Sequence, residues 1–202
     1  MKTTEVATKT KWSVDQVHSE ISFSVRHLLM AKVKGAFKRF DADITTTSRD
    51  FKTARIDLWI DASSAITGHP NCDKHLKSRD FLEVNKHKQI TFTSNRIVRT
   101  DLDRLYELWG ELTMRGVARN IKLDVQLAGI LEDPRGNERV GFTITGTINR
   151  SDWGLVWNSP AEYGDLLVSD EVTISCEVEL TNTIQKEWAM QLEYLCEEEA
   201  MM

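Results

Sequence analysis

Seven stretches of this chain place apolar residues at every second position, and that pattern limits the fold more than any other feature. The sets are Ile21, Phe23, Val25 in 20–27, Ala54, Ile56, Leu58, Ile60 in 53–62, and Ile90, Phe92, Val98 in 88–99. They continue with Tyr106, Leu108, Leu112, Met114 in 104–114, Ile121, Leu123, Val125, Leu127 in 120–131, and Val140, Phe142, Ile144, Ile148 in 139–150. The last is Val172, Ile174, Cys176, Val178, Leu180 in 171–180. A period of two sends alternate side chains to opposite faces, so each stretch reads as a strand with one buried face. Repeated this often, the pattern predicts antiparallel strands wrapped around one apolar interior. Several runs exceed the usual five or six residues, so the structure is long along its strands. Seven or eight such strands close into a barrel, whose interior either fills with side chains or holds one small ligand. A two-sheet sandwich is the alternative.

The intervals between runs carry turn chemistry. Asp133-Pro134-Arg135-Gly136 has proline second and glycine fourth, as a type I turn prefers. Arg115-Gly116-Val117-Ala118 reads as a tight hairpin, with Gly116-Val117 at its tip. Phe37 and Phe40, three apart, break the alternation and predict a bulge or bend. The two turns imply a register in which Gly110 faces Leu123 and Leu123 faces Gly146. Two glycines beside one leucine either ease sheet coiling or leave room for a ligand. Pro70 fits the first turn of a short helix over 71–77. Thr183 fits the N-cap of a C-terminal amphipathic helix over 183–202, with Ile184, Trp188, Leu192 and Leu195 on one stripe. The organisation is thus a flexible N-terminus over 1–11, a barrel domain over 12–182 and a helical extension.

Composition narrows the function. With 202 residues and a net charge of −5, the chain lacks the basic balance of a phosphate-tracking nucleic-acid binder. The same charge disfavours adsorption to anionic membranes. No apolar run approaches the length of a spanning helix. MKTTEVATKTKW has no apolar signal-peptide segment, and three widely spaced cysteines suit free thiols, so the expected location is the cytoplasm. Six tryptophans and an extra amphipathic helix are more apolar material than one barrel needs, which predicts a homodimer.

Motifs for chemistry are weak. His69, Cys72 and His75, with Asp73 between, have metal-ligand composition, but the spacing does not match known zinc patterns, and no metal is expected. Asp15, His18 and Ser19 share the residue types of a hydrolytic triad, yet closeness in sequence does not supply convergence in space. A turn held by side-chain hydrogen bonds explains them better. There is no nucleophile elbow and no phosphate-cradling glycine loop. Trp153 and Trp157 flank Gly154 before a turn-rich stretch and read as an aromatic pair at a barrel mouth.

The segments DQVHSEISFSVRHLL, GAFKRFDADI, DKHLKSRDFL followed by QITFTS, GELTMRGVARNIKL and ERVGFTITGTINRSDWG resemble, in order and spacing, the YceI-like family. The resemblance covers about Trp12 to Thr181. It implies an extended, lipocalin-like eight-stranded antiparallel barrel that binds polyisoprenoids or related amphiphiles in its lumen, with no catalytic residues to carry over and no cofactor. Lys88 stands where the family often has proline, Trp153 where phenylalanine is usual, Cys72 at no family position, and the helix after Asn182 is an addition.

The expected function is therefore non-enzymatic binding, transport or sequestration of a long-chain amphiphile such as a polyisoprenoid or isoprenoid quinone. Its apolar contacts would be Phe23, Val25, Phe37, Ile56, Leu58, Phe92, Leu108, Leu123, Val125, Phe142, Ile144 and Trp153, with His18, Asp73 and His75 toward the polar head. The alternative is an enzyme using those histidines and aspartates on an amphiphilic lipid.

Overall fold

The computed structural model describes residues 9–27, 31–47, 50–158 and 168–182. The strands are β1 (Thr10–Val14), β2 (Glu20–His27), β3 (Ala31–Phe37), β4 (Phe40–Thr46), β5 (Arg55–Asp61), β6 (Ala65–Ile66), β7 (Gln89–Arg99), β8 (Leu105–Met114), β9 (Val117–Glu132), β10 (Glu138–Asn149) and β11 (Val168–Asn182). Among the described residues one α-helix, α1 (Pro70–Leu76), lies between β6 and β7. Proline opens it, as expected, because its missing N–H would have no partner there anyway.

Hydrogen bonding runs in a closed ring. β1 pairs with both β4 and β11, through Trp12↔Ile44 and Trp12↔Asn182. β2 continues β1 along the same edge of β11, and β3 and β6 continue β4 and β5 in the same way. Counted through these continuations, eight antiparallel strands follow one another around a closed barrel, the architecture that the alternation predicts.

Three adjacent strands are interrupted at one level, at 15–19, 38–39 and 62–64. Below the interruption the inward residues have even numbers: Val14, Ala42 and Ile44, Ile56 and Leu58. Above it they have odd numbers: Ile21, Phe23, Val25 and Phe37. The expected break at Phe37/Phe40 is one of the three. The level is stitched crosswise: Gln16 Nε2 donates to the Phe40 carbonyl at 2.6 Å, and the Lys38 and Arg39 N–H groups donate to Ser64 Oγ at 3.2 and 3.0 Å.

Two features depart from expectation. Arg115 and Gly116, with φ of 52° and 74°, are the tip of the β8–β9 hairpin, not Gly116-Val117. Both tip residues must be left-handed, a conformation a β-branched valine resists. Arg115 takes it while its guanidinium donates to the Gly154 carbonyl at 2.9 Å. The register is therefore two residues from the expected one, so Leu123 pairs with Leu108 and Gly110 with Ile121. In the second hairpin the Gly136 N–H closes the expected turn onto the Asp133 carbonyl at 2.9 Å. A bulge between Gly141 and Phe142 then restores the expected register, in which Ile144 meets Val125.

Neither glycine leaves room. A Cβ at Gly110 would lie 2.3 Å from Phe92 Cζ, and one at Gly146 would lie 2.4 Å from Leu123 Cδ2. The side chains of neighbouring strands already occupy both places. At the termini, β1 begins at Thr10, two residues before the expected boundary, and the 183–202 helix expectation lies outside the described residues.

Candidate functional site: the barrel lumen

The inward faces enclose a cavity of about 280 Å³ on whose wall no polar atom is exposed. Phe23, Val25, Phe37, Ile56, Leu58, Phe92, Leu108, Leu123, Val125, Phe142 and Ile144 all line it. They lie on seven different strands, and one parity rule directs them inward. Cys176 lines it too, and burial pushes its thiol up to about 12.

The two ends differ. At the base, Phe51 on the turn after β4 stacks 5.2 Å from Trp12 and edge-on to Phe142 at 4.9 Å. Trp12 is 3% exposed, and its indole N–H donates to the buried Thr46 hydroxyl at 3.1 Å. These described residues close the base. Toward the other end, Phe23, Val25, Phe37, Ile121, Ile148, Val172 and Ile174 are only half-buried. There Leu76 of α1, Phe81, Leu82 and Leu155 border the cavity, so this end is the mouth. The base aromatics and this rim come from segments between strands, which alternation does not reach.

Arg150 is a charged residue bordering the cavity. Its guanidinium donates to the carbonyls of Ser169 at 2.9 Å, Trp157 at 3.0 Å, Val168 at 3.3 Å and Leu155. Burial lowers its pKa from the ordinary value, opposed by the charge of Asp170. It ties the segment after β10 to the start of β11.

The remaining expected residues lie off the wall. Trp153 is 2% exposed and belongs to the buried core, its indole N–H donating to the Leu112 carbonyl at 3.1 Å. Its companion Trp157 packs edge-on against His75, with ring centroids 4.4 Å apart. His75 Nε2 lies 3.0 Å from Asp80 Oδ2. Asp73 accepts both the N–H and the hydroxyl of Thr67 at 2.6 Å, which pins α1 to the segment after β6 and holds the carboxyl below its usual range. His18 sits on the outer flank, 3.0 Å from Asp15 Oδ2. Asp73 and His75 thus share the mouth end, and His18 belongs to a separate cluster.

That cluster is electrostatic scaffolding. Arg139 bonds Asp15 at 2.8 Å, Asp133 at 3.1 Å and Glu179. The hydrogen bond from His18, then that from Arg139, holds Asp15 well below the carboxylate range. Its three carboxylates raise Arg139 above its ordinary value. Asp15, His18 and Glu179 are close enough for a shared ion, but the Arg139 guanidinium already supplies the cation there.

The YceI-like domain model matches residues 12–180. The chain belongs to the YceI-like family. A UPF0312 protein of Staphylococcus epidermidis is 31% identical over 173 residues, spanning 85% of this chain and 98% of that protein. The crystal structure of the Campylobacter jejuni YceI protein is similar with a TM-score of 0.69 and 28% identity, covering 91% of this chain and 99% of that one. A polyisoprenoid-binding domain from Saccharophagus degradans shares the fold, with a TM-score of 0.60, 18% identity and coverage of 86% and 99%. No helix among the described residues is long and apolar enough to cross a membrane.

Proposed function

We propose that the protein binds the apolar chain of an amphiphilic lipid, of polyisoprenoid or isoprenoid-quinone type, within its lumen, and carries or sequesters it without chemical conversion. The observation that carries this reading is the cavity itself, closed at the base and free of exposed polar atoms on its wall. Such a wall offers dispersion and hydrophobic contact to a hydrocarbon and leaves any polar group on the ligand without a partner. A long chain therefore enters tail first, and its head stays at the mouth. The polyisoprenoid-binding domain of the same fold supports this ligand class.

A catalytic reading has less support. Asp73 is committed to Thr67, His75 to Asp80 and Trp157, and His18 to Asp15, so no two of the nominated groups converge on one point of the wall.

Native mass spectrometry of protein purified without detergent tests the proposal. A retained lipid of one or a few defined masses, released on denaturation, is the expected result. Ligand-free protein that also fails to take up an added prenyl alcohol or quinone would refute it.

A further inference from the structure

We propose that the outer faces of β2 and β3 are a docking surface for a lipid bilayer carrying anionic headgroups. These strands have two chemically opposite faces at the mouth end. Phe23, Val25 and Phe37 point into the lumen. The opposite parity carries Arg26, Lys32 and Lys34, all exposed. Arg26 and Lys32 are direct cross-strand partners, and Lys34 stands opposite Ser24, one pair further along the same face.

Like charges placed opposite one another on a sheet are destabilising. Among the described residues none of the three cations has a carboxylate partner within 4.0 Å, and the nearest exposed acid on the adjoining strand is Glu171, one pair beyond Val172↔Val25. Glu20, on the same face, is engaged by Lys38 at 3.6 Å. Asp170, on the adjoining start of β11, accepts the Ser151 N–H and hydroxyl at 3.0 and 2.7 Å. Helix α1, beyond β6 on the other side of β3, presents a further exposed lysine, Lys74.

The chain as a whole is acidic, so this collar is a local reversal of sign. Screening confines electrostatic attraction to about 10 Å at 0.1 M salt, so a nearby surface senses the collar rather than the net charge. The overall charge argued against adsorption to anionic membranes, and this local charge reverses that expectation. The choice of a bilayer over other polyanions rests on the lumen reading, because the other face of the same two strands lines the cavity mouth. Docking there brings the rim of the mouth close to the phase that holds long apolar chains.

Co-sedimentation with phosphatidylcholine vesicles containing about one-third phosphatidylglycerol tests the proposal. Binding is expected to the mixed vesicles and not to pure phosphatidylcholine, and to be lost as salt rises toward about 1 M. Replacing Arg26, Lys32 and Lys34 together by glutamine should weaken binding roughly a hundredfold. Should that variant fold poorly, the salt series on the unaltered protein still decides. Equal binding to neutral vesicles, salt-independent binding, or an unchanged triple variant would overturn the proposal. So would binding to duplex DNA in the absence of vesicle binding. Uptake of a prenyl alcohol is measured separately: docking without uptake defeats the lumen reading alone, and uptake without docking defeats this inference alone.

Discussion

Replacing Gly110 by alanine should destabilise the barrel by about 3 kcal/mol, the upper end for overpacking one methyl group into a filled core. The new Cβ would lie 2.3 Å from Phe92 Cζ and 2.6 Å from the Thr93 carbonyl oxygen. The ring can turn away, but the carbonyl belongs to the neighbouring strand's backbone and cannot, so strand spacing must give. Gly146→Ala meets only a flexible tip, Leu123 Cδ2 at 2.4 Å, with the nearest backbone oxygen at 3.4 Å. Moving that tip off its rotamer costs about 0.5–1.5 kcal/mol. The smaller entropy of the unfolded alanine chain returns roughly 0.4–1 kcal/mol. The net for Gly146→Ala is thus close to zero. Gly129→Ala, with nothing within 4 Å, serves as the control and should not destabilise. Urea unfolding of the three variants, analysed with a shared slope, gives the order directly. Gly110→Ala also drives the Phe92 ring into the lumen, so its ligand uptake should fall together with its stability. The reasoning is refuted if Gly110→Ala unfolds at the same urea concentration as Gly146→Ala, because the backbone contact would then carry no cost.

Two further outcomes follow from the electrostatics. The Asp15 carboxyl is held below its unfolded value, so its stabilisation is present above about pH 4 and is lost as the pH falls through the lower folded value. Asp15→Asn should therefore lose less stability than the unaltered protein between pH 6 and pH 2, and parallel acid-unfolding curves would contradict this. At pH 8 a thiol at about 12 is ionised to roughly one part in ten thousand, so Cys176 should react with a maleimide far more slowly than the exposed Cys72, as followed by peptide mapping.

The wall of the site was legible because its residues sit in strands, where parity alone fixes direction: Phe92, Val125 and Ile144 needed no further information. The strand pair β3–β4 was not, because its inward set changes parity between Phe37 and Phe40, and a single-period reading discards such a segment. The hairpin tip was misplaced by one residue, since glycine serves at either tip position and the arginine's willingness to go left-handed depends on a distant carbonyl, Gly154. The room inferred at Gly110 and Gly146 failed for a different reason. A glycine records that a Cβ is excluded, and it does not record whether a ligand or a neighbouring phenylalanine excludes it. Trp153, His18, Asp73 and His75 lie outside the regular strands, where sequence spacing says little about direction.

The aligned interruptions of three neighbouring strands set an arithmetic rule for changes in chain length. Inserting or deleting one residue within 15–19 would turn β2 over, sending Phe23 and Val25 outward and bringing Ser24 and Arg26 toward the lumen. A change of two residues would keep the faces. The same holds at 38–39 and 62–64, where any such change would also have to re-form the crosswise hydrogen bonds. Relatives that diverge here are expected to differ by even steps.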